Sequence, residues 1–351
     1  MDKVIENSTS KKKDIAALRR FLAAAETCGD ESVALDQIIR VFKECVSLEH
    51  PSLKRESSIP DRVTHIAILF SSPLVYETTK RELKALDSIP HELEKRNLFS
   101  AMTESGRQVT YYEENASVES FRAILDRGCR VLHFVGHGVL GDETDGDALL
   151  VEGDCGRALE IDIKTLSKLL MRTDSSVSLR LVFVSSCHSQ EVGQVFLRAG
   201  ADHVIAVRRE TSVLSDAACL FAKAFYRSYL CDNRVQDAFE HAKLQVSATS
   251  SFDPTQFILM SSSPKQQQQD KAFLGIPPGK FIDLSRNPKF RDSLPSKPAL
   301  CLGRNKDMHA ILDLLSTSRL VTIRGPPGIG KTTVSKELLH YMAPRHLYKD
   351  G

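Results

Sequence analysis

The stretches Arg130–Gly138, RVLHFVGHG, and Leu179–Ser189, LRLVFVSSCHS, decide how this chain folds. Each is an apolar run of strand length that ends in small residues, as a strand buried on both faces of a sheet does. Each also ends beside a reactive side chain, His137 in the first and Cys187 in the second. A free thiol is mostly protonated at neutral pH, so a nucleophilic cysteine needs a base, and an imidazole supplies one.

Outward from these runs, short β segments alternate with helical ones, the pattern of an α/β sheet with helices on both faces. VTHIAILF (63–70) and RQVTYYEE (107–114) read as strands, and SVESFRAILDRG (117–128) as a helix capped by Ser117 and stopped at Gly128. The acidic stretch 141–156 reads as a loop, IDIKTLSKLLMR (161–172) as a helix, and 191–209 as a helix and a strand. SDAACLFAKAFYRSYL and RVQDAFEHAKLQV read as two more helices, and FILMSS (257–262) as the last strand. A strand, helix, strand order implies parallel pairing, which places His137 and Cys187 at one carboxyl edge, where open α/β sheets bind ligands.

Of 351 residues, 42% are hydrophobic, enough for two domains with sizeable cores. Lys and Arg number 47 against 45 Asp and Glu, so the net charge of +2 argues for neither a nucleic-acid nor a membrane partner. The polar start, MDKVIENSTSKKKD, lacks a signal-peptide core, and no apolar run approaches the length of a membrane span, which points to a cytoplasmic chain. The eight cysteines lie apart, without metal-ligand spacing, and read as reduced thiols.

Residues 14–48 carry apolar spacing on either side of a Cys-Gly-Asp break, the sign of a helical hairpin, and residues 50–61 read as a linker. The divisions expected are a helical segment and linker at 1–60, an α/β domain at 61–262, a linker with a QQQQ tract at 263–297, and a further domain start at 298–351.

Glycine after His137 lets backbone approach a substrate, and the N–H groups of Gly138 and Cys187 are candidate oxyanion donors. Acyl transfer, specifically peptide cleavage, is the matching chemistry. Taken singly, Cys187 is as well read as a small buried apolar residue and His137 as a satisfied turn residue. The joint pattern favours the dyad. His133, inside its run, is expected to face a helix, and His188 to point away from Cys187. Asp142, Asp145, Asp147 and Asp154 read mainly as a solvated acidic loop, and secondarily as selectors of a basic substrate side chain.

The blocks VLHFVGHG, GDALLVEG, LRLVFVSSCHS, FLRAGADHVIAV and SDAACLFAKAFYRSYL with VQDAFEHAK resemble the CHAT domain, a caspase-like peptidase family, over about residues 62–262. The resemblance implies an α/β, caspase-like three-layer fold with a mostly parallel sheet. It also implies a His137 and Cys187 dyad acting on a protein substrate without a cofactor. Some members of such a family are inactive scaffolds, which keeps an interaction role for the domain and the N-terminal helices as the alternative.

A second signal is GPPGIGKTT, Gly325 to Thr333, between the apolar run RLVTIR and a helical segment. It satisfies the phosphate-loop pattern, whose backbone N–H groups cradle phosphates, with Lys331 on the outer phosphates and Thr332 on magnesium. Gly328, Gly330 and Thr333 complete it. The preceding ALCLGRNKDMHAILDLL resembles the Gly-Arg-Glu segment of STAND ATPases of the NB-ARC and NACHT kind, which implies base contacts at Gly303 and Arg304; Asn305 stands where that group has Glu. ATP or ADP with magnesium is the implied ligand, and self-assembly the implied regulation. The chain stops at Gly351, where a second strand would begin, so the nucleotide domain is expected to be incomplete: either the chain is a fragment or truncated product, with ATP binding belonging to a longer parent, or its last 50 residues are a partly ordered tail.

Overall fold

Seven strands form the central sheet in the order β11 (Phe257–Ser261), β10 (His203–Val207), β9 (Leu181–Ser185), β5 (Cys129–Val135), β1 (Thr64–Phe70), β4 (Thr110–Asn115) and β12 (Ile282–Asp283), parallel except for β11. The computed structural model describes residues 64–345 except 79, 142–145, 172–178, 210–214, 264–272, 274 and 286–293. The hairpin read over 14–48, the QQQQ tract, Asp142 and Asp145 lie outside the described residues.

In chain order, β1 (Thr64–Phe70) leads to a small hairpin of β2 (Val75–Glu77) and β3 (Leu83–Ala85). Then come α1 (His91–Ser105), β4 (Thr110–Asn115), α2 (Val118–Arg127) and β5 (Cys129–Val135). A three-stranded antiparallel sheet of β6 (Gly138–Val139), β7 (Ala148–Glu152) and β8 (Ala158–Asp162) follows. After it run α3 (Ile163–Leu170), β9 (Leu181–Ser185), α4 (Gln190–Arg198) and β10 (His203–Val207). The chain continues through α5 (Ser215–Tyr229), α6 (Val235–Thr249), β11 (Phe257–Ser261), β12 (Ile282–Asp283), α7 (Asn305–Thr317) and α8 (Lys331–Met342).

Alternation along the strands builds two cores. Val131, His133 and Val135 of β5 face one side with Ile66, Ile68, Leu181 and Phe183, where α1, α5 and α6 pack; Leu132 and Phe134 face the other with Val182 and Val184, under α2, α3 and α4. Helices on both faces of a parallel sheet make three layers. The caps are local and legible: the Ser117 hydroxyl accepts from Ser120 N at 3.1 Å, Ser120 Oγ accepts from Ser117 N at 2.8 Å, and Gly128 ends α2 with φ 78°.

The stretch 141–156, expected as a loop, contains β7. Ala148 to Val151 are all buried, and that apolar run outweighs its acidic flanks. The span 263–297 contributes β12 to the sheet edge and Phe273, fully buried, to the core. No strand forms over 319–324, where Leu320 is 82% exposed; a strand needs a neighbour to satisfy its backbone, and none pairs with this run among the described residues. A third core joins α7 and α8 to the first hairpin through Leu74, Val75, Met308, Leu312, Val334 and Leu338. Among the described residues no helix is long and apolar enough to cross a membrane.

Candidate active site

β5 and β9 are adjacent and parallel, in register from Val131↔Leu181 to Val135↔Ser185. His137 and Cys187 therefore each lie two positions past the same registered pair. Neighbouring strands run about 4.8 Å apart, so the two chain segments leave the sheet side by side. Cross-bonds hold this edge: Gly136 N donates to Ser185 O at 3.2 Å, and Ser71 N to Val135 O at 2.7 Å.

His137 Nε2 lies 2.9 Å from the carbonyl oxygen of Asp87. A carbonyl only accepts, so this bond assigns the proton to Nε2 and leaves Nδ1 as the acceptor. Burial pushes the imidazole pKa below its usual 6.5, with the Asp87 carbonyl and carboxylate pulling the other way. The ring is neutral at pH 7, the form that can take a proton from a thiol.

Gly138 follows. A Cβ built there would stand 2.0 Å from the carbonyl oxygen of Cys187 and 2.6 Å from Ser186 Oγ, so only glycine lets the two turns approach this closely. Gly138 pairs with Leu149 in β7, and the flanking ladder bond runs from Leu150 N to His137 O at 3.0 Å. That bond makes Gly138 the non-hydrogen-bonded member of the ladder, so its N–H points away from β7.

Cys187 sits half-buried in the turn between β9 and α4. The turn is braced by Ser189, fully buried, whose hydroxyl donates to Ser186 O at 2.8 Å and accepts from Val207 N at 3.0 Å. His188 adopts φ 53° and its Nδ1 meets the carbonyl of Arg209, so its ring is turned to β10 as its neighbouring position suggests. His133 is 1% exposed, with Nδ1 3.0 Å from Tyr226 Oη and its ring stacked on Phe183; Nε2 has an electrostatic contact with Glu94 Oε1 at 2.9 Å rather than an aligned hydrogen bond. It belongs to the α1 and α5 layer.

Arg209 is a residue that sequence reading missed. Its Nε lies 3.2 Å from both carboxylate oxygens of Asp147 and 3.3 Å from Glu191 Oε1, while Nη2 donates to Gly141 O at 3.0 Å. It thus ties the segment after the base to the helix after the nucleophile. Asp147 is fully buried under it, which corrects its reading as part of a solvated acidic loop. Burial raises the Asp147 pKa against the opposing pull of the Gly141 N–H and of Arg209. Asp154 is exposed. Among the described residues no cysteine is joined in a disulfide, and burial lifts the Cys219 thiol to about 12.

The phosphate-loop residues form a separate constellation. Gly328 and Gly330 hold φ 80° and 90°, each with open space around it, so their requirement is conformational. Gly330 caps the start of α8, whose first residues are Lys331, Thr332 and Thr333. Lys331 Nζ donates to Gly325 O and Pro326 O, both at 2.9 Å, and Thr332 is exposed. Gly303 is left-handed at φ 68°, and Arg304 Nη2 donates to Ile329 O at 3.3 Å, so the Gly-Arg segment lies against the loop. A left-handed loop running into a helix N-terminus fits a phosphate group. Nothing here brings the loop to the dyad directly.

A model of the family described as CHAT domain matches residues 7–291, and one described as Novel STAND NTPase 3 matches residues 303–349. No curated protein matches the chain. Among solved structures, a pyridoxal kinase from Staphylococcus aureus in complex with AMP-PCP and pyridoxal is 9% identical, with a TM-score of 0.26, covering 57% of this chain and all of that one. A likeness that low carries no argument. The first match spans most of the sequence, and the chain belongs to the CHAT domain family.

Proposed function

We propose that the chain is a cysteine-type endopeptidase of the caspase-like kind, with Cys187 as nucleophile and His137 as general base and then acid. The observation that carries this reading is the shared exit of the two residues from paired strands, with Gly138 pressed against the Cys187 carbonyl. His137 Nδ1 takes the thiol proton, and the sulfur attacks the carbonyl carbon of a substrate peptide bond. The oxyanion is held by the N–H groups of Gly138 and Cys187. His137 then gives its proton to the leaving amine as the C–N bond breaks, and water hydrolyses the thioester. The substrate is a protein.

In the same reading the loop from Gly325 to Thr333 holds the phosphates of ATP or ADP, with Lys331 on the outer phosphates, Thr332 on magnesium, and Gly303 and Arg304 toward the base. The nucleotide supplies regulation rather than the cleavage chemistry. The left-handed Gly328 and Gly330 at the start of α8 support it. Full chain incubated with a peptide library, beside Cys187→Ala and His137→Ala, is the test. Cleavage lost in both variants is expected; equal cleavage by all three, or none under any condition including Mg·ATP, overturns the peptidase reading and favours a scaffold.

A further inference from the structure

We propose that Asn305 is a positioning residue for His137, acting through the irregular segment Leu86–Asp87 and so joining the phosphate loop to the base. The inference rests on the peptidase reading for its functional meaning, though not for its geometry.

Two adjacent carbonyls carry it. The Leu86 carbonyl accepts from Asn305 Nδ2 at 2.6 Å, and the next carbonyl, that of Asp87, accepts from His137 Nε2 at 2.9 Å. Residues 86–90 form neither helix nor strand, so no ladder fixes this segment. What fixes it is the bond from Leu86 N to Leu74 O at 3.0 Å on one side and Asn305 on the other. Asn305 is itself held, because it opens α7, which packs Met308 and Leu312 on Leu74 and Val75 and contacts the Cys155 carbonyl through His309 Nδ1 at 2.8 Å.

The neighbouring Arg304 donates to Ile329 O within the phosphate loop. The connection therefore runs from Ile329 through Arg304 and Asn305 to Leu86, Asp87 and His137, each link a hydrogen bond or a covalent neighbour. Spatial continuity is only the first requirement for coupling; a shift in the base when the far end changes is the second.

The Asp87 carbonyl does two things for the base. It fixes the Nε2–H tautomer, which frees Nδ1 for the thiol, and it favours the imidazolium that forms when the thiol ionises. The charged group facing His137 among the described residues is Asp87, with Cys187 on the adjoining strand end. Releasing Leu86 lets the Asp87 carbonyl move away, so both effects weaken together. Asn305→Asp replaces the donor with an acceptor facing the Leu86 carbonyl, at nearly constant size.

The experiment compares the wild-type chain, residues 1–351, with Asn305→Ala, Asn305→Asp and, as a control, Lys306→Ala at an exposed neighbour. Two readouts are taken on each. One is the nitrogen spectrum of 15N-histidine protein, which reports the His137 tautomer. The other is the rate of Cys187 alkylation by iodoacetamide from pH 5 to 9. Expected are a His137 signal of the Nε2–H form in wild type and Lys306→Ala, a mixed-tautomer signal in both Asn305 variants, and an alkylation rate at pH 7 lowered about tenfold with its acid limb moved up by about one pH unit. A variant that merely loses stability lowers the melting temperature and leaves the folded protein's tautomer and acid limb in place, which overturns the proposal. Unchanged tautomer with rapid wild-type alkylation overturns the positioning role and leaves the peptidase reading standing. A shifted tautomer with Cys187 no faster than exposed Cys231 supports the positioning role and overturns the peptidase reading instead.

Discussion

Gly138 and the carbonyl of Cys187 are in backbone contact, closely enough that a single added methyl at position 138 would overlap that oxygen at 2.0 Å. The glycine after the base is thus a spacer that sets how near the nucleophile's turn can come. Gly138→Ala should destabilise the fold by about 1–3 kcal/mol, the range for forcing extra volume into a packed site. Chemical denaturation measures that cost. Cys187 alkylation should fall with it even in the fully folded fraction. Gly328→Ala is the contrast: its Cβ meets nothing within 4 Å, so the cost there is conformational and alkylation stays unchanged.

Arg209 should behave as a clamp. Removing it with Arg209→Ala leaves Asp147 buried without its partner, and uncompensated buried charge costs about 3–5 kcal/mol. Partial solvent access to Arg209, 34% exposed, places the expected loss at the low end. Arg209→Lys should recover less than half, because one ammonium cannot serve Asp147, Glu191 and Gly141 O together. Urea unfolding of the three proteins at pH 7 decides it; equal stability of wild type and Arg209→Ala would refute the clamp.

Glu94 and His133 are buried together beneath the aromatic cluster of Phe183 and Tyr226. Glu94→Leu alone should cost about 1–3 kcal/mol, since it removes the carboxylate beside the buried Nε2 of His133 and leaves the ring its Tyr226 hydrogen bond. The double variant Glu94→Leu with His133→Phe should be less damaging than the sum of the singles. Additive losses in a double-mutant cycle would show that the two groups do not interact.

Stability should fall in mild acid. Burial, helped by the nearby Arg130, lowers His65 from 6.5 to about 4, and its Nδ1 accepts from Thr110 N at 3.0 Å, a bond that protonation breaks. The unfolded chain then binds more protons than the folded one between pH 6.5 and 4. The stabilisation is fully present above 6.5 and is lost progressively down to about 4. His137, lowered in the same direction, adds to the loss. His65→Asn keeps an acceptor for Thr110 but does not titrate, so its unfolding midpoint should drop less between pH 7 and 4 than that of wild type. Parallel curves would remove His65 from the account.

The strands β5 and β9 were legible because they are unbroken apolar runs, and the His-Gly pair and Ser-x-Cys turn fall at their ends. Much of the rest of the site is not written in local pattern. The Asp87 carbonyl carries no side-chain signal at all, and the Arg209 contact spans 62 residues to Asp147. Helix α1 is polar nearly all round and hides its role, because one of its few buried residues is Glu94, whose partner sits on β5. The run at 319–324 is apolar and yet forms no strand, because strand formation depends on a neighbour that composition cannot report.

Strand β12 has a practical meaning for how this protein can be handled. Ile282 and Asp283 pair with Thr110 and Tyr111 along the outer side of β4, and Phe273 fills the core nearby. A protein cut at residue 262, where the last helix-and-strand pattern of the sequence ends, would carry a bare strand edge and a hole the size of a phenyl ring. Bare edges recruit other chains. Such a piece should clump at concentrations where the intact chain stays monodisperse, so the smallest unit fit for assay reaches at least to the residues after β12.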